Sequence, residues 1–335
     1  MRPEVSVLLP CRDASAWLGE CATSLASQTL EAFEVVAVDD GSSDDTPRLL
    51  RAWARHDRRV RVLETGGAGL VEALRAAAGA ATAPLLARMD ADDVARPERL
   101  VRQAELLAVR PELAACGTGV ELFPESALGS GYRRYERWLN GLREPADLLR
   151  DLFVECPVAH PTLMIRASVL QGLGGYRDAG WPEDYDLVLR LHAAGLRAAN
   201  LPGALLRWRV RPDRHSLRSE RYGPAAFRRC KVHFLRAAFL PADRPVVVWG
   251  AGRVGKALAR ELARQGTRVA AFVDLDPRKV GQQIHGAPVL PPVAVEERRD
   301  DFVLAAVGSP GAREEIRATL SGFGRREMED FRACA

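Results

Sequence analysis

Short apolar runs alternate with stretches of helical spacing along the first ninety residues. Val5-Ser6-Val7-Leu8-Leu9 is β-branched and apolar and is closed by Pro10, the pattern of a buried strand. Trp17, Leu18, Cys21 and Leu25 then recur at helical spacing, which predicts a helix over 14–29. A second strand at 33–38 runs into Asp39-Asp40-Gly41-Ser42. The same reading places helices at 45–57 and 70–81, and strands at 60–63 and 85–89. Strands alternating with helices at this pace predict a parallel α/β sheet.

In such sheets ligands collect outside the carboxyl ends of the strands. Three polar clusters fall at those ends: Pro10-Cys11-Arg12-Asp13, Asp39-Asp40-Gly41 and Asp90-Ala91-Asp92. Because they follow different parallel strands, they can converge on one crevice although far apart in sequence.

The pattern starts afresh near Arg244. A strand at 245–249 runs into Gly250-Ala251-Gly252-Arg253-Val254-Gly255, and 256–265 continues as a helix. The next strand, Val269–Val273, ends at Asp274, and a further one at 302–307 ends at Gly308-Ser309. This is a half-sized Rossmann unit. A basic, apolar helix over 225–242 joins the two halves. The expected organisation is therefore an α/β domain at 1–222, a linker helix at 223–243 and a small Rossmann-like domain at 244–335. No internal repeat or low-complexity tract interrupts it.

Composition narrows the picture. The 335 residues are 47% apolar and 27% charged with a net charge of +4, as expected of a soluble globular chain. The basic residues are almost all arginine; Lys231, Lys256 and Lys279 are the lysines. No basic stripe interleaved with aromatics and no zinc-finger or helix-turn-helix spacing occurs, so a nucleic-acid partner is not expected. The six cysteines are scattered without a Cys-x-x-Cys, which predicts neither a zinc site nor a disulfide framework and fits a reducing cytoplasm. Nothing resembles a signal peptide or a span of roughly 20 apolar residues.

Asp90-Ala91-Asp92 sets two carboxylates at alternate positions where a strand gives way to a loop. A bare pair of this kind is more often a solvated acidic loop. Yet hard divalent cations prefer oxygen ligands, and Mg²⁺ typically takes one or two carboxylates together with substrate phosphates. Gly250-x-Gly252-x-x-Gly255 follows a strand and opens a helix, with Asp274 ending the next strand. That is the context a dinucleotide site requires.

In order and spacing, the segments of residues 5–218 resemble glycosyltransferase family 2. The matching pieces are 5–10, Val38-Asp39-Asp40-Gly41-Ser42-Ser43-Asp44-Asp45-Thr46 and Ala87-Arg88-Met89-Asp90-Ala91-Asp92-Asp93. Pro97-Glu98-Arg99-Leu100 with Gln103, His160-Pro161, Gly174-Gly175-Tyr176 and Pro182-Glu183-Asp184-Tyr185-Asp186-Leu187 complete them. The resemblance implies a GT-A fold, a nucleotide-diphosphate sugar donor (UDP-, GDP- or dTDP-linked), Mn²⁺ or Mg²⁺, and inversion at the anomeric carbon. It implies that Asp39 or Asp40 contacts the base or ribose, with Pro10, Arg12 and Gly41 in the same pocket. Asp90 then approaches the ribose or the metal shell, and Asp92 ligates the metal. The family often has Asn where this chain has Asp13. Of the pair Glu183-Asp184, Asp184 takes the role of general base toward the acceptor hydroxyl; the pair also opens an amphipathic helix, where a carboxylate favours the helix dipole. His215 is the candidate for the metal- or diphosphate-reaching histidine, whereas His160 reads as a packed residue. Arg207, Arg209 and Arg211 read either as a diphosphate-attracting run or as the solubilising face of an edge strand. Acceptor recognition in this fold falls at about 120–160.

The last ninety residues look like the nucleotide-binding part of bacterial sugar-modifying enzymes, which implies NAD(P) or another nucleotide at Gly250, Gly252, Gly255 and Asp274. A sugar-nucleotide oxidoreductase is the rival class, disfavoured because no Tyr-x-x-x-Lys follows. A non-catalytic nucleotide-binding scaffold is the other, and Asp90, Asp92 and Asp184 speak against it. Arg228, Arg229, Lys231 and Arg236 beside Phe227, Phe234, Leu235 and Phe239 also suit an anionic membrane surface, although an interdomain helix is the commoner use. The expectation is a cytoplasmic enzyme, peripheral on the membrane's inner face if it touches one, with a glycan, polysaccharide or lipid-linked acceptor.

Overall fold

β1 (Val5–Cys11) is buried at every position. A strand in that situation needs a partner on each edge and cover on both faces. Its edges are met by β2 (Phe33–Asp39) and β4 (Leu85–Arg88), both parallel to it, and β3 (Val60–Glu64) extends the sheet beyond β2. The helices Leu18–Ala26, Thr46–His56 and Leu70–Ala80 connect them. Leu18, Cys21 and Leu25 of the first and Leu50 of the second join one core with Val5, Val7 and Leu9. The expected parallel α/β unit is thus present over the first ninety residues. The computed structural model describes residues 2–211 and 219–335, so His215 lies outside the described residues.

Beyond β4 the sheet becomes mixed. Its order is β3-β2-β1-β4-β7-β6-β8-β5, with β5 (Val94–Ala95), β6 (Leu113–Phe123), β7 (Met164–Arg166) and β8 (Arg197–Arg209). β7 is antiparallel to both β4 and β6, β6 runs parallel to β8, and β5 closes antiparallel on β8. The arginine-rich β8 is therefore not an edge strand. It lies between β6 and β5, so its arginines face partners rather than guarding an edge.

The second unit carries a sheet of order β11-β12-β10-β9-β13-β14. Its strands are β9 (Val246–Trp249), β10 (Val269–Val273), β11 (Gln283–Ile284), β12 (Ala287–Leu290), β13 (Phe302–Ala305) and β14 (Phe331–Ala333). All but β11 pair in parallel, and the fully buried β9 sits between β10 and β13. The helix Arg253–Arg264 follows β9 directly. The expected joining helix is broken: Pro224–Phe234 is α-helical and Leu235–Phe239 a π-helical turn. Its apolar residues Cys230, Val232, Phe234 and Leu235 are buried, and Lys231 donates to the carbonyls of Val154 (3.2 Å) and Cys334 (2.9 Å). Arg229 and Arg236 of the same segment are exposed.

The two compact units are Met1–Leu148 with Pro157–Ser219, and Leu149–Cys156 with Glu220–Ala335. Eight residues from the first half of the sequence thus belong to the second unit. Asp151, buried, pairs with Arg317 (2.5 Å) and Arg313 (3.8 Å) on the helix Ala312–Gly322. Phe153 meets Phe239 edge-on at 5.0 Å between ring centroids. Removing a carboxylate that accepts a charged hydrogen bond leaves its cations without that partner. Asp151→Ala should destabilise the second unit by about 2 kcal/mol, read as a lowered urea midpoint with an unchanged slope.

Candidate active site

The register of the central strands sets Cys11 beside Asp39, and Leu8 beside Arg88. The carboxyl ends of β1, β2 and β4 therefore open at one level. A cavity of about 580 Å³ lies there, lined among others by Pro10, Arg12, Asp40, Asp90, Asp92 and Arg211. The three clusters expected to converge do so.

The second cluster divides its labour. Asp40 is buried and its carboxylate is engaged by the chain: Thr65 Oγ1 donates to Oδ1 at 2.8 Å and the Gly69 amide donates to both oxygens. Arg12 Nη1 lies 3.5 Å from Oδ2. Asp39 is also buried, but among the described residues its Oδ1 has no hydrogen-bond partner, and Oδ2 takes a long bond (3.4 Å) from the Ser42 amide. Gly41 has φ +69°, and a Cβ there would come within 2.7 Å of the Gly67 nitrogen, so glycine is required for two independent reasons. Asp13 also has positive φ (48°), a conformation that Asn and Asp tolerate better than other side chains. Its Oδ1 accepts from the amide and hydroxyl of Ser43, which ties the ends of β1 and β2 together. Asp13 also lines the cavity.

The third cluster is ringed by arginines. Arg88, with 3% exposure, pairs through Nη1 with Asp90. Burial works against its charge, but Asp90 outweighs burial and holds the guanidinium above its ordinary value. Arg99 is buried beneath it, donating to the Arg88 carbonyl at 2.6 Å and to Gln103 Oε1 at 3.1 Å; burial pushes it down to about 10. Gln103 in turn donates to the carbonyl of Thr162 (2.8 Å). From β8, the Arg209 amide donates to Asp93 and its Nε to the Asp92 carbonyl, at 2.8 and 2.7 Å. Arg211 Nε lies 2.9 Å from Asp92 Oδ2, and its guanidinium rests 3.9 Å above the Trp17 ring. Asp90, Asp92 and Asp93 each offer an oxygen within 4.8 Å of the others. An all-carboxylate set of this kind suits Mg²⁺ or Mn²⁺ rather than a softer metal. The Cys11 thiol beside them is pushed up by burial and by Asp39, Asp90 and Asp92, so it stays protonated.

Glu183 and Asp184 begin the helix Glu183–Ala193 as expected, but that helix is not amphipathic. Tyr185 to His192 are all buried. Its polar side is satisfied internally, since Asp186 accepts from Trp181 Nε1 (2.9 Å) and from Arg190 Nε (2.6 Å). Glu183 is buried, with His160 Nδ1 3.7 Å from its carboxylate, while Tyr176 OH lies 3.3 Å from His160 Nε2. Burial, and then the charge of Arg88, lower His160 far enough to keep it neutral. Asp184 is half-buried and accepts from the Tyr185 amide at 2.7 Å. Neither Glu183 nor Asp184 lines the 580 Å³ cavity.

In the second unit Gly250, Gly252 and Asp274 line a cavity of about 570 Å³. A Cβ on Gly250 would meet the Ala306 carbonyl at 2.7 Å, and one on Gly255 the Gly250 carbonyl at 1.8 Å, whereas one on Gly252 would meet nothing. Two of the glycines thus serve strand–helix packing, and Gly252 leaves its backbone open to the cavity. Asp274 is less available than expected: Ala251 N (2.9 Å), Lys279 Nζ (3.0 Å) and Asp276 N (2.9 Å) all donate to it.

Residues 6–174 match the family model for glycosyl transferase family 2. The chain belongs to glycosyltransferase family 2. The putative glycosyltransferase EpsE of Bacillus subtilis is 32% identical over 225 residues, 66% of this chain and 78% of that one. The amylovoran biosynthesis glycosyltransferase AmsE of Erwinia amylovora is 32% identical over 197 residues, 58% of this chain and 71% of that one. Among solved structures, S. aureus TarS 1–349 in complex with UDP-GlcNAc is similar with a TM-score of 0.59 at 18% identity, covering 79% of this chain and 72% of that one. This likeness supports the GT-A fold. Residues 242–321 match the CoA binding domain model, in keeping with the Rossmann-like sheet.

Some of this family-2 site escaped the sequence reading. Thr65 and Gly69 were not singled out, Arg88 and Trp17 were named only as parts of their segments, and Asp93 was not counted with the metal carboxylates. Arg99 and Gln103 were noticed as a pattern without a task. A signal existed only for Arg88, a cation placed among four apolar strand residues and so in need of a counter-charge nearby. Asp44 also went unassigned: it accepts from the Ser15 amide (3.0 Å) and the Thr46 amide (2.9 Å), bracing the loops that follow β1 and β2. Burial opposes its ionisation, but these bonds outweigh burial and bring it to about 2 from 3.8. A depressed carboxyl stabilises the fold above its unfolded value and loses that contribution as pH falls through its folded one. The difference in thermal midpoint between the native chain and Asp44→Asn should therefore be full above pH 4 and shrink toward pH 2.

Proposed function

We propose that the chain is an inverting, divalent-metal-dependent glycosyltransferase that moves a sugar from a nucleoside-diphosphate donor to a hydroxyl acceptor. The observation that carries this reading is the convergence of Asp40, Asp90 and Asp92 on one cavity at the ends of β1, β2 and β4. Pro10 and Arg12 flank the nucleotide, and Asp39 or Asp40 meets its base or ribose; of the two, Asp40 lines the cavity. Asp40 and Gly41 shape the loop that carries Asp39. Asp92, helped by Asp90, holds Mg²⁺ or Mn²⁺. A cation bound there offsets the charge that gathers on the departing diphosphate.

Asp184 takes the proton of the acceptor hydroxyl as its oxygen attacks the anomeric carbon. Glu183, held against His160 inside the protein, fixes the start of the helix that presents Asp184. Donors to test are UDP-, GDP- and dTDP-sugars, beginning with UDP-GlcNAc because TarS binds it. The names of the relatives point to an acceptor in cell-envelope polysaccharide, as a saccharide or a lipid-linked chain. No helix among the described residues is long and apolar enough to cross a membrane, and we place the enzyme in the cytoplasm. The C-terminal cavity is a nucleotide site, for CoA, NAD(P) or a related molecule, appended to a catalytic domain that ends near residue 222.

Asp184→Asn should lower kcat by roughly 10²–10⁴-fold while the Kd for the donor nucleotide, measured calorimetrically, changes little. Near-normal turnover would remove Asp184 from the mechanism. Asp92→Asn should abolish the dependence of donor binding on added Mn²⁺. If binding in that variant still responds to Mn²⁺, the metal is held elsewhere.

A further inference from the structure

Three carboxylates crowd the end of β4, and each has a cation or amide of this chain against it. They differ in how those partners are held. Arg88 on Asp90 is almost wholly buried, and the Arg209 amide on Asp93 belongs to the backbone of β8. Arg211 on Asp92 is different: of the three partners it is the one that lines the 580 Å³ cavity. Its guanidinium meets Asp92 Oδ2 at 2.9 Å and lies flat over Trp17 at 3.9 Å, a contact that stabilises a cation without needing the carboxylate. Arg211 follows the end of β8 by two residues, so its backbone is less constrained than that of Arg209.

A guanidinium and a divalent cation on one carboxylate draw on the same few lone pairs and repel one another as like charges, so each weakens the other's hold on it. We propose that Arg211 and the divalent cation compete for Asp92, so that loading the cation turns Arg211, still resting on Trp17, toward the donor's diphosphate. The inference rests on the assignment of Asp92 as metal ligand. Arg211 then has two opposed effects. It weakens binding of the cation alone, and it strengthens binding of the donor once the cation is present. Cation and donor consequently bind with positive coupling, because each favours the arrangement in which Arg211 has left Asp92.

The test measures Mn²⁺ affinity by electron paramagnetic resonance without donor, and UDP affinity by calorimetry at saturating Mn²⁺. Arg211→Gln should tighten Mn²⁺ about tenfold or more and weaken UDP by a similar factor. A residue that merely supports the fold would move both affinities the same way. In an Asp92→Asn background the Arg211→Gln change should leave Mn²⁺ affinity unaltered, and circular dichroism checks that each variant is folded. Equal Mn²⁺ affinity in the native chain and Arg211→Gln overturns the competition, as does an equal gain in the Asp92→Asn background, which would mark a general charge effect. If the native chain binds no Mn²⁺ and Arg211→Gln binds none either, the metal assignment itself fails.

Discussion

A guanidinium at the end of a buried strand has to find a counter-charge within a few ångströms, because an isolated charge in a protein interior is prohibitively unfavourable. Arg88 meets that demand with Asp90, two residues further on, and thereby dictates the course of the loop that carries Asp92 and Asp93. A second buried arginine, Arg99, clamps the Arg88 carbonyl, and Gln103 links that clamp to the carbonyl of Thr162. The acidic loop is thus fixed from inside by cations rather than left to repel itself in solvent. His160 is kept neutral mainly by burial and partly by the same charge, and it approaches Glu183. One buried cation therefore connects the carboxylates at the end of β4 with the start of the helix that carries Asp184.

The strands of the first half were legible because each is a short apolar run ended by a polar turn, and parallel order follows from the helices between them. The mixed half of the sheet was not legible. β7 has three residues and β5 two, too few for periodicity to register, and their antiparallel pairing depends on contacts remote in sequence. β8 misled for a related reason. Alternating arginines suit an edge, yet Arg207 and Arg209 stack on Phe123 and pair with Glu121 and Glu20, so the strand is covered by its own side chains.

The candidate site was legible as residue types but not as roles. Asp39 and Asp40 are indistinguishable in sequence. Only the structure separates Asp40, taken up by Thr65 and Gly69, from Asp39 with an unmet acceptor. Asp274 likewise has the position of a ribose-binding carboxylate and yet is taken up by Ala251, Asp276 and Lys279. Hydrogen-bond partners supplied by turns are what the sequence does not print. The helix after Pro182 shows the converse: Asp186 and Arg190 look like an exposed polar face, but they pair with one another and are buried.

The segment Leu149–Cys156 has a bearing on how the chain is made. It lies within the stretch that matches family 2, yet Leu152 and Phe153 are buried in a unit whose remainder begins at Glu220. On a ribosome adding about 5–20 residues per second, those side chains wait on the order of 10–30 s for the strands that cover them. The amino-terminal half can complete its parallel sheet during that interval, whereas the segment between Leu148 and Pro157 cannot settle. Vectorial synthesis thus leaves this apolar stretch incompletely covered until the strand Phe331–Ala333, whose Arg332 lies over the Phe153 ring, has emerged.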